Sequence, residues 1–203
     1  MTESEKRRNC LLYDAFDPEL SEEQRYTHRL CEEYNRLGVD GAKRKEEILR
    51  ELFPEDDFGR YRVMEAPIFI DNIHELRIGK NFYSNVYFSY IGGGCASIGD
   101  NVFIGPFCTL ACGMHALLPD ERNIHIDEDG SAHDYEYGLP IQIGNNVWIA
   151  SNVTILGGVK IGDNSVIGAG SVVTKDIPEG VLAAGNPCRV IRKITEADRL
   201  KKK

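Results

Sequence analysis

Aliphatic residues recur at every sixth position along the second half of the chain. Six consecutive hexads start at Ile143, and each opens with Ile or Val: IGNNVW, IASNVT, ILGGVK, IGDNSV, IGAGSV and VTKDIP. The hexads IGDNVF, IGPFCT and LACGMH keep this register over residues 98–115. A period of six fits neither a helix nor an alternating strand, and it is typical of a solenoid whose coils have three flat faces. The pattern predicts a β fold made of stacked coils.

Three hexads make one coil of 18 residues, so side chains 18 positions apart stack in neighbouring coils, about 4.8 Å from each other. The aliphatic residues that open the hexads then form three inward ladders. The stacked pairs predicted in these ladders are Ile143 with Ile161, Ile149 with Ile167, and Ile155 with Val173.

The hexad register breaks at two places. Ile78 and Ile98 are 20 residues apart, which is not a multiple of six and predicts one irregular turn. Residues 116–142 fit no hexad and carry Pro119, Pro140 and seven acidic residues. We expect this segment to be a loop extruded from the coil, and a long excursion from a regular scaffold is usually functional. The β-helix is predicted over residues 61–187.

The first 60 residues have a helical pattern. Leu30, Tyr34 and Leu37 form an apolar stripe that ends at Gly38, and Ser21-Glu-Glu-Gln24 has the pattern of a capping box. A second predicted helix is capped by Asp40 and ends before Pro54. Two short amphipathic helices cannot form a core alone. We therefore expect residues 1–60 to pack on the β-helix.

Charge is distributed unevenly in this chain of 203 residues. The net charge of −8 argues against general nucleic-acid binding, which needs a basic surface. Residues 185–203 nevertheless hold seven Lys or Arg against two acidic residues. The predicted C-terminal tail, residues 188–203, is thus either a binding segment for an anionic ligand or a solvated basic end.

Hydropathy and cysteine usage restrict the location of the protein. Two long uncharged runs, residues 81–99 and 101–119, are interrupted by Gly, Asn, Ser or Pro, so we expect no membrane span. The sequence MTESEKRRNC has no apolar leader, which favours a cytoplasmic protein. Six cysteines without a CxxC pair indicate reduced thiols.

The repeats, together with AAGNPCRVIRKI in the tail, resemble the hexapeptide-repeat acyltransferases. The N-terminal LYDAFDPEL, the segment NFYSN and a His before the extruded loop narrow the resemblance to the maltose/galactoside O-acetyltransferase family. The resemblance implies a left-handed parallel β-helix with N-terminal α-helices. It also implies acetyl transfer from acetyl-CoA to a sugar hydroxyl, in a homotrimer with an active site at each interface.

His115 is the predicted catalytic base. It closes a hexad at the start of the extruded loop, and imidazole takes up and releases protons near neutral pH. The family places its catalytic His at this point, usually followed by Pro, whereas Ala116 and Leu117 follow here. For the other histidines, a structural role is the better interpretation.

The resemblance also supplies acceptor-binding candidates. Tyr83 and Asn85, in NFYSN, match family residues that contact the acceptor sugar. Asp17 and Arg25 resemble further acceptor contacts, and Asp14 competes with Asp17 for that assignment.

The donor site is predicted from both stacking and resemblance. Ser151 and Ala169 are 18 residues apart, so their small side chains leave a groove suited to a pantetheine arm. The family uses these two positions for acetyl-CoA. Further matches to family residues are Trp148 beside the active site, Thr174 and Lys175 near the far end of the coenzyme, and Arg189 and Arg192 at its phosphates.

Three alternatives stay open. In the first, the enzyme acetylates a non-sugar hydroxyl or an amine. In the second, the chain is a non-enzymatic β-helix that binds or supports other molecules. The third alternative is a zinc carbonic anhydrase on the same scaffold, which needs three His ligands. The spacing of His115, His125 and His133 differs from the His-x4-His pair of that family, and we expect no metal.

Overall fold

The fold consists of a long β-solenoid with helices at its N-terminal end; the computed structural model describes residues 1–54 and 61–201. The helices are α1 (Glu3–Arg8), α2 (Pro18–Arg36), α3 (Ala42–Leu52) and α4 (Pro119–Arg122), with short 3-10 turns at Val39–Gly41 and Glu196–Asp198. The strands are β1 (Tyr13–Asp14), β2 (Arg62–Met64), β3 (Ile68–Ile70), β4 (Leu76–Ile78), β5 (Phe82–Ser84), β6 (Phe88–Ile91), β7 (Ala96–Ile98), β8 (Phe103–Ile104), β9 (Thr109–Ala111), β10 (Gly113–Met114), β11 (His125–Ile126), β12 (Ala132–His133), β13 (Tyr135–Gly138), β14 (Ile141–Ile143), β15 (Trp148–Ile149), β16 (Thr154–Leu156), β17 (Lys160–Ile161), β18 (Val166–Ile167), β19 (Val172–Val173), β20 (Val181–Ala184) and β21 (Arg189–Lys193).

Three sheets of parallel strands form the faces of the solenoid. The first face has the order β4-β7-β14-β17, the second β2-β5-β8-β15-β18-β20 and the third β3-β6-β9-β16-β19. The predicted inward ladders are confirmed, because Ile143 pairs with Ile161. The same holds for Ile149 with Ile167 and for Ile155 with Val173. Their side chains are buried and form one continuous core.

An asparagine ladder runs along the corner between the first and second faces. Asn81, Asn101, Asn146 and Asn164 have φ angles of 56°, 57°, 56° and 59°, a left-handed conformation that Asn tolerates better than most residues. The side-chain amides of the first three donate to the oxygen of the next asparagine along the axis, at 2.9, 3.1 and 3.0 Å. The ladder therefore provides hydrogen-bond partners for the side-chain amides at this exposed corner and holds successive coils in register.

The corner between the third and first faces is irregular. Ile155 and Val173 are paired at a spacing of 18, whereas Ile68 and Phe88 are paired at a spacing of 20. The extra residues lie in the connections 71–75 and 92–95, and the second of these is the irregular turn predicted between Ile78 and Ile98. The predicted extruded loop leaves from the same corner and holds α4, β11, β12 and β13; its last two residues already belong to β14.

Helix α2 covers the N-terminal end of the solenoid. The side-chain amide of Asn35 forms two hydrogen bonds with the backbone of Ile68, at 2.8 and 2.9 Å. These bonds attach α2 to the first coil. The predicted capping box is wrong, because α2 begins earlier. Asp17 accepts from the backbone N–H groups of Glu19 and Leu20, and Pro18 occupies the first helical position.

The second predicted cap is also wrong. Asp40 lies in a 3-10 turn, and Gly41, without a side chain, precedes α3. Residues 55–60, the end of the predicted N-terminal segment, lie outside the described residues.

The C-terminal end of the solenoid is closed by an antiparallel strand. β21 pairs with β20 and carries the exposed Arg189 and Arg192.

The six cysteines form no disulfide. Across residues 1–54 and 61–201, every helix is too short or too polar to span a membrane.

Candidate active site

A cavity of about 500 Å³ lies at the irregular corner of the solenoid. The connections 71–75 and 92–95, the N-terminal segment and the extruded loop all contribute to its wall. Its lining residues are Tyr13, Ala15, Phe16, Leu20, Ser21, Gln24, Asp71, Asn72, Ile91, Gly92, Gly93, Ala111, Gly113, His115, Asp134 and Glu136. His115 is thus the one predicted site residue among them.

A small antiparallel sheet outside the solenoid brings His115 to the cavity. β13 lies between β1 and β10, with Tyr13 opposite Glu136 and Met114 opposite Tyr137. His115 directly follows β10. The sheet therefore joins the N-terminal segment, the extruded loop and the last regular coil before that loop.

Glu136 connects His115 to Tyr13. The Nε2 atom of His115 lies 3.6 Å from Oε1 of Glu136, and the Tyr13 phenol donates a 2.8 Å hydrogen bond to Oε2 of the same carboxylate. Burial, and then the charge of Glu136, raise the pKa of Tyr13, so the phenol stays a donor. A carboxylate held at this distance stabilises positive charge on the imidazole.

Two glycines allow this close approach. A Cβ on Gly93 would lie 2.4 Å from the Tyr13 oxygen and 2.8 Å from Cγ of Arg7. A Cβ on Gly138 would lie 2.1 Å from the carbonyl oxygen of Gly93. Only glycine at these positions lets the loop strand lie against the coil edge.

Asp71, another residue of the cavity lining, is fixed by groups from α2 and the coil. Its Oδ1 accepts from Gln24 at 2.9 Å and lies 2.9 Å from Nε2 of His28, and its Oδ2 accepts from the backbone N–H of Gly92 at 2.9 Å. The carboxylate is therefore held in one orientation.

A buried ion cluster supports the wall behind Gly93. Arg7 donates to Glu75 at 2.5 Å and to Glu23 at 3.0 Å, and all three side chains are buried or nearly so. Glu75 also accepts from the backbone N–H of Gly94 at 3.1 Å. Since paired charges of this kind are costly to separate, the cluster anchors α1 to the cavity wall.

His115, Asp134 and Glu136 place one ligand-type atom each within 4.8 Å of one another. No group of three histidines converges within residues 1–54 and 61–201. His133 instead bonds Asp14 at 2.7 Å, and the His125 ring lies 5.6 Å from that of Tyr135. The three histidines thus do not converge on one point in the described part of the chain.

The other predicted acceptor residues do not line the cavity of the single chain. Tyr83 lies on the outer side of the second face, with its ring 6.2 Å from that of Phe103, and Asn85 follows it at the end of β5. Asp17 caps α2, and Arg25 forms an exposed ion pair with Glu22 at 3.0 Å. The alternative to Asp17, Asp14, is bonded to His133 and to the backbone of Asp134 at 3.0 Å.

The predicted donor residues lie on the outer surface of successive coils. The N–H of Gly170, next to Ala169, donates to the carbonyl of Ser151 at 2.9 Å, so Ser151 and Ala169 are neighbours as expected. Trp148 is 55% exposed on the second face. Thr174 and Lys175 are exposed near the C-terminal end.

The two predicted phosphate ligands differ in their contacts. Arg189 donates to the carbonyl of Cys188 at 2.8 Å. Arg192 forms a two-point ion pair with Asp198, with bonds of 2.8 and 2.6 Å. A phosphate at Arg192 therefore has to compete with a carboxylate.

Comparisons with known proteins agree with this architecture. The family model of the bacterial transferase hexapeptide (six repeats) matches residues 140–175, and that of the maltose acetyltransferase hexapeptide capping motif matches residues 11–56. The galactoside O-acetyltransferase of Escherichia coli strain K12 is 42% identical over 170 residues, covering 84% of this chain and 78% of that protein. The chain belongs to the galactoside/maltose O-acetyltransferase family.

Solved structures of related enzymes are similar to nearly the whole chain. A maltose O-acetyltransferase from Clostridium difficile 630 has a TM-score of 0.87 and 40% identity, with 97% of this chain and 99% of that chain covered. A galactoside acetyltransferase in complex with coenzyme A has a TM-score of 0.85 and 38% identity, covering 98% and 94%. The predicted family and β-helix fold are confirmed, and the family member is an acetyltransferase.

Sequence patterns do not indicate several of the residues that line the cavity. Glu136 and Asp134 are two of seven acidic residues in the extruded loop, and nothing in the repeat pattern distinguishes them. Tyr13 belongs to the noted LYDAFDPEL segment, but its contact with Glu136 joins two segments that share no repeat. Gln24 belongs to the Ser21 capping pattern, which does not predict a place in the cavity, and Asp71 belongs to no recognisable pattern.

Proposed function

We propose that this enzyme transfers an acetyl group from acetyl-CoA to a hydroxyl of a sugar acceptor, with His115 as general base. The observation that carries the proposal is the Tyr13–Glu136–His115 contact chain at the cavity. A general base needs a hydrogen-bonding or charged neighbour that stabilises its protonated form. Glu136 supplies that neighbour, and the cavity beside it has the volume for a small acceptor.

The reaction proceeds by direct attack. The acceptor oxygen forms a bond to the thioester carbonyl carbon while its proton passes to His115. The carbon–sulfur bond then breaks, and His115 returns the proton to the departing thiolate. Glu136 stabilises the imidazolium between these two steps.

The cysteines support a mechanism without an acetyl-cysteine. Burial raises the pKa of Cys31 to about 11 and that of Cys112 to about 12. Burial also raises the pKa of Cys95, Cys108 and Cys188. Thiols with raised pKa values are poor nucleophiles at neutral pH, because the thiolate is the attacking species.

The donor lies along the outer surface of the coils. Ser151 and Ala169 present small side chains in adjacent coils, which leaves room for the pantetheine arm. Thr174 and Lys175 meet the far end of the coenzyme, and Arg189 and Arg192 bind its phosphates. The exposed basic strand β21 supports this direction of the donor.

We infer that three copies assemble around their second faces. The outward residues of that face stack as Tyr83, Phe103 and Trp148, and both Phe103 and Trp148 are about half exposed. An exposed ladder of aromatic side chains indicates a protein interface. In the trimer, His115 of one copy faces Trp148 and Ser151 of the next, and Tyr83 and Asn85 reach the acceptor across the interface.

The decisive experiment is a coupled assay of free CoA thiol with a panel of sugars, amines and other hydroxyl compounds. Acetyl-CoA-dependent release with maltose, glucose or a galactoside, accompanied by an acetylated product of the expected mass, supports the proposal. Turnover with amines alone would contradict it. Trapping an acetylated protein from donor alone would contradict direct attack.

A further inference from the structure

The charged side chains that line the cavity are all acidic apart from one histidine. Asp71, Asp134 and Glu136 contribute three carboxylates, and His115 is the only residue of basic type among the described lining residues. His28 lies against Asp71 and compensates part of that charge when protonated. The uncompensated negative charge therefore comes mainly from Asp134 and Glu136.

The nearest buried cation does not offset this charge. Arg7 packs behind Gly93, and its guanidinium is already shared between Glu75 and Glu23. Asp134 has no hydrogen bond or ion pair to its carboxylate within the described part of the chain, although its backbone N–H donates to Asp14. This carboxylate is free to bind a ligand next to His115.

Asn72 provides a second, independent observation. It lines the cavity and is 3% exposed, and its Nδ2 donates to the carbonyl of Gly92 at 3.1 Å. Its Oδ1 is buried and has no donor among the described residues. A buried acceptor without a donor is costly, and Asn72 thus adds an oxygen acceptor to the cavity wall while its amide N–H is used by Gly92.

The donors of the cavity are largely used by the protein itself. Gln24 and the N–H of Gly92 both donate to Asp71, and the Tyr13 phenol donates to Glu136. The cavity thus offers a ligand several oxygen acceptors and negative charge. An acceptor that carries a carboxylate or phosphate would meet like charge at every step.

We propose that the acceptor is cationic: a sugar or cyclic polyol that carries a protonated amine near the hydroxyl that is acetylated. The ammonium group binds Asp134, and the neighbouring hydroxyl lies against His115. This assignment rests on the proposed function and narrows its acceptor class. The protonated amine has no free electron pair, so it positions the substrate while the hydroxyl oxygen attacks the thioester.

The test compares four sugars of similar size at neutral pH: glucosamine, glucose, N-acetylglucosamine and glucuronate. We expect kcat/KM for glucosamine to exceed that for glucose and N-acetylglucosamine by roughly 10- to 100-fold, the range for a hydrogen bond to a charged group. Glucuronate is expected to be the poorest acceptor. The product is expected to be an ester that hydroxylamine cleaves, because the amine is the binding group.

Asp134→Asn removes the negative charge of this side chain and keeps its size. We expect this variant to reduce the glucosamine-to-glucose ratio of kcat/KM towards one. The matched control is Asp120→Asn, which removes the same charge from an exposed carboxylate on α4 outside the cavity lining and should keep the ratio. The melting temperature of each variant shows whether it is folded.

The outcomes separate the two proposals. Acetylation of all four sugars with similar kcat/KM leaves the proposed function standing and overturns the cationic acceptor. An N-acetyl product, or an unchanged ratio in folded Asp134→Asn, also overturns it. If no sugar is acetylated, the proposed function fails, and saturation-transfer NMR then decides the inference: preferential binding of glucosamine over glucose supports it, and equal or absent binding overturns it.

Discussion

The phenol of Tyr13 donates a 2.8 Å hydrogen bond to Glu136, 123 residues further along the chain. The two residues face each other across β1 and β13, and Glu136 in turn lies 3.6 Å from His115. The N-terminal segment therefore reaches the proposed base through one carboxylate, although it is far from the hexads in sequence.

Replacing Tyr13 by Phe removes one hydrogen bond to that carboxylate. We expect kcat to fall about 10-fold, in line with the ~1.5 kcal/mol of a hydrogen bond to a charged group, while the KM for acetyl-CoA stays nearly constant. Steady-state kinetics with acetyl-CoA and the acceptor varied in turn measure both quantities. Tyr26→Phe is the matched control, since Tyr26 donates to Glu51 at 3.1 Å on the helical surface. Equal loss in both variants would contradict the role given to Tyr13.

His115→Ala removes the base itself. We expect kcat to fall by roughly 10²–10⁴-fold with little change in acetyl-CoA affinity, because general base catalysis contributes that range. Steady-state kinetics and calorimetric titration with CoA measure the two effects separately. His125→Ala, in the outer hairpin of the loop, serves as control; near-normal kcat in His115→Ala would refute the mechanism.

The extruded loop should loosen as the pH rises. The hydrogen bond with Asp14, and then the charges of Asp14 and Asp127, raise the pKa of His133 above its ordinary value of 6.5. A group whose pKa is raised by folding contributes stability that is complete below pH 6.5 and is lost as the pH passes its folded value. Amide exchange of residues 125–138, corrected for the intrinsic rate, should therefore accelerate above that value. In His133→Gln the pH dependence should disappear; its persistence would rule out this contact as the cause.

The basic strand β21 offers a test of donor binding. Hydrogen bonding to Arg192 lowers the pKa of Asp198 to about 2, so Asp198 is a competing anion at neutral pH. We expect the double variant Arg189→Ala/Arg192→Ala to raise the KM for acetyl-CoA, and Asp198→Asn to lower it by a few-fold. Lys201→Ala is the control for charge at the terminus. Unchanged donor affinity in the double variant would disprove the phosphate assignment.

Assembly can be measured directly. We expect light scattering to give three times the chain mass of 22.8 kDa, and Trp148→Glu to shift this towards the monomer. A charge placed within an apolar interface is costly unless it is paired. Arg77→Glu on the first face is the control, and a wild-type monomer under assay conditions would refute the trimer.

The hexads make the solenoid predictable, because a fixed spacing of 18 residues determines which aliphatic side chains stack in neighbouring coils. Ile143 and Ile161 follow from that rule alone. Helix α2 starts earlier than the Ser21 pattern predicts, because Asp17 accepts from the backbone N–H groups of Glu19 and Leu20 and Pro18 fits the first helical position. The contact of Tyr13 with Glu136 follows no period, so only the folded chain reveals it.

All three departures from the regular coil occur at the corner between the third and first faces, while the corner between the first and second faces is held by the asparagine ladder. Lengthening a loop costs free energy only logarithmically in its length, and β14 resumes the first face beside β7 after the longest excursion. Insertions at this corner thus change the cavity without disturbing the stacked faces. The length of the excursions at this corner is therefore independent of the strand pairing that builds the three faces.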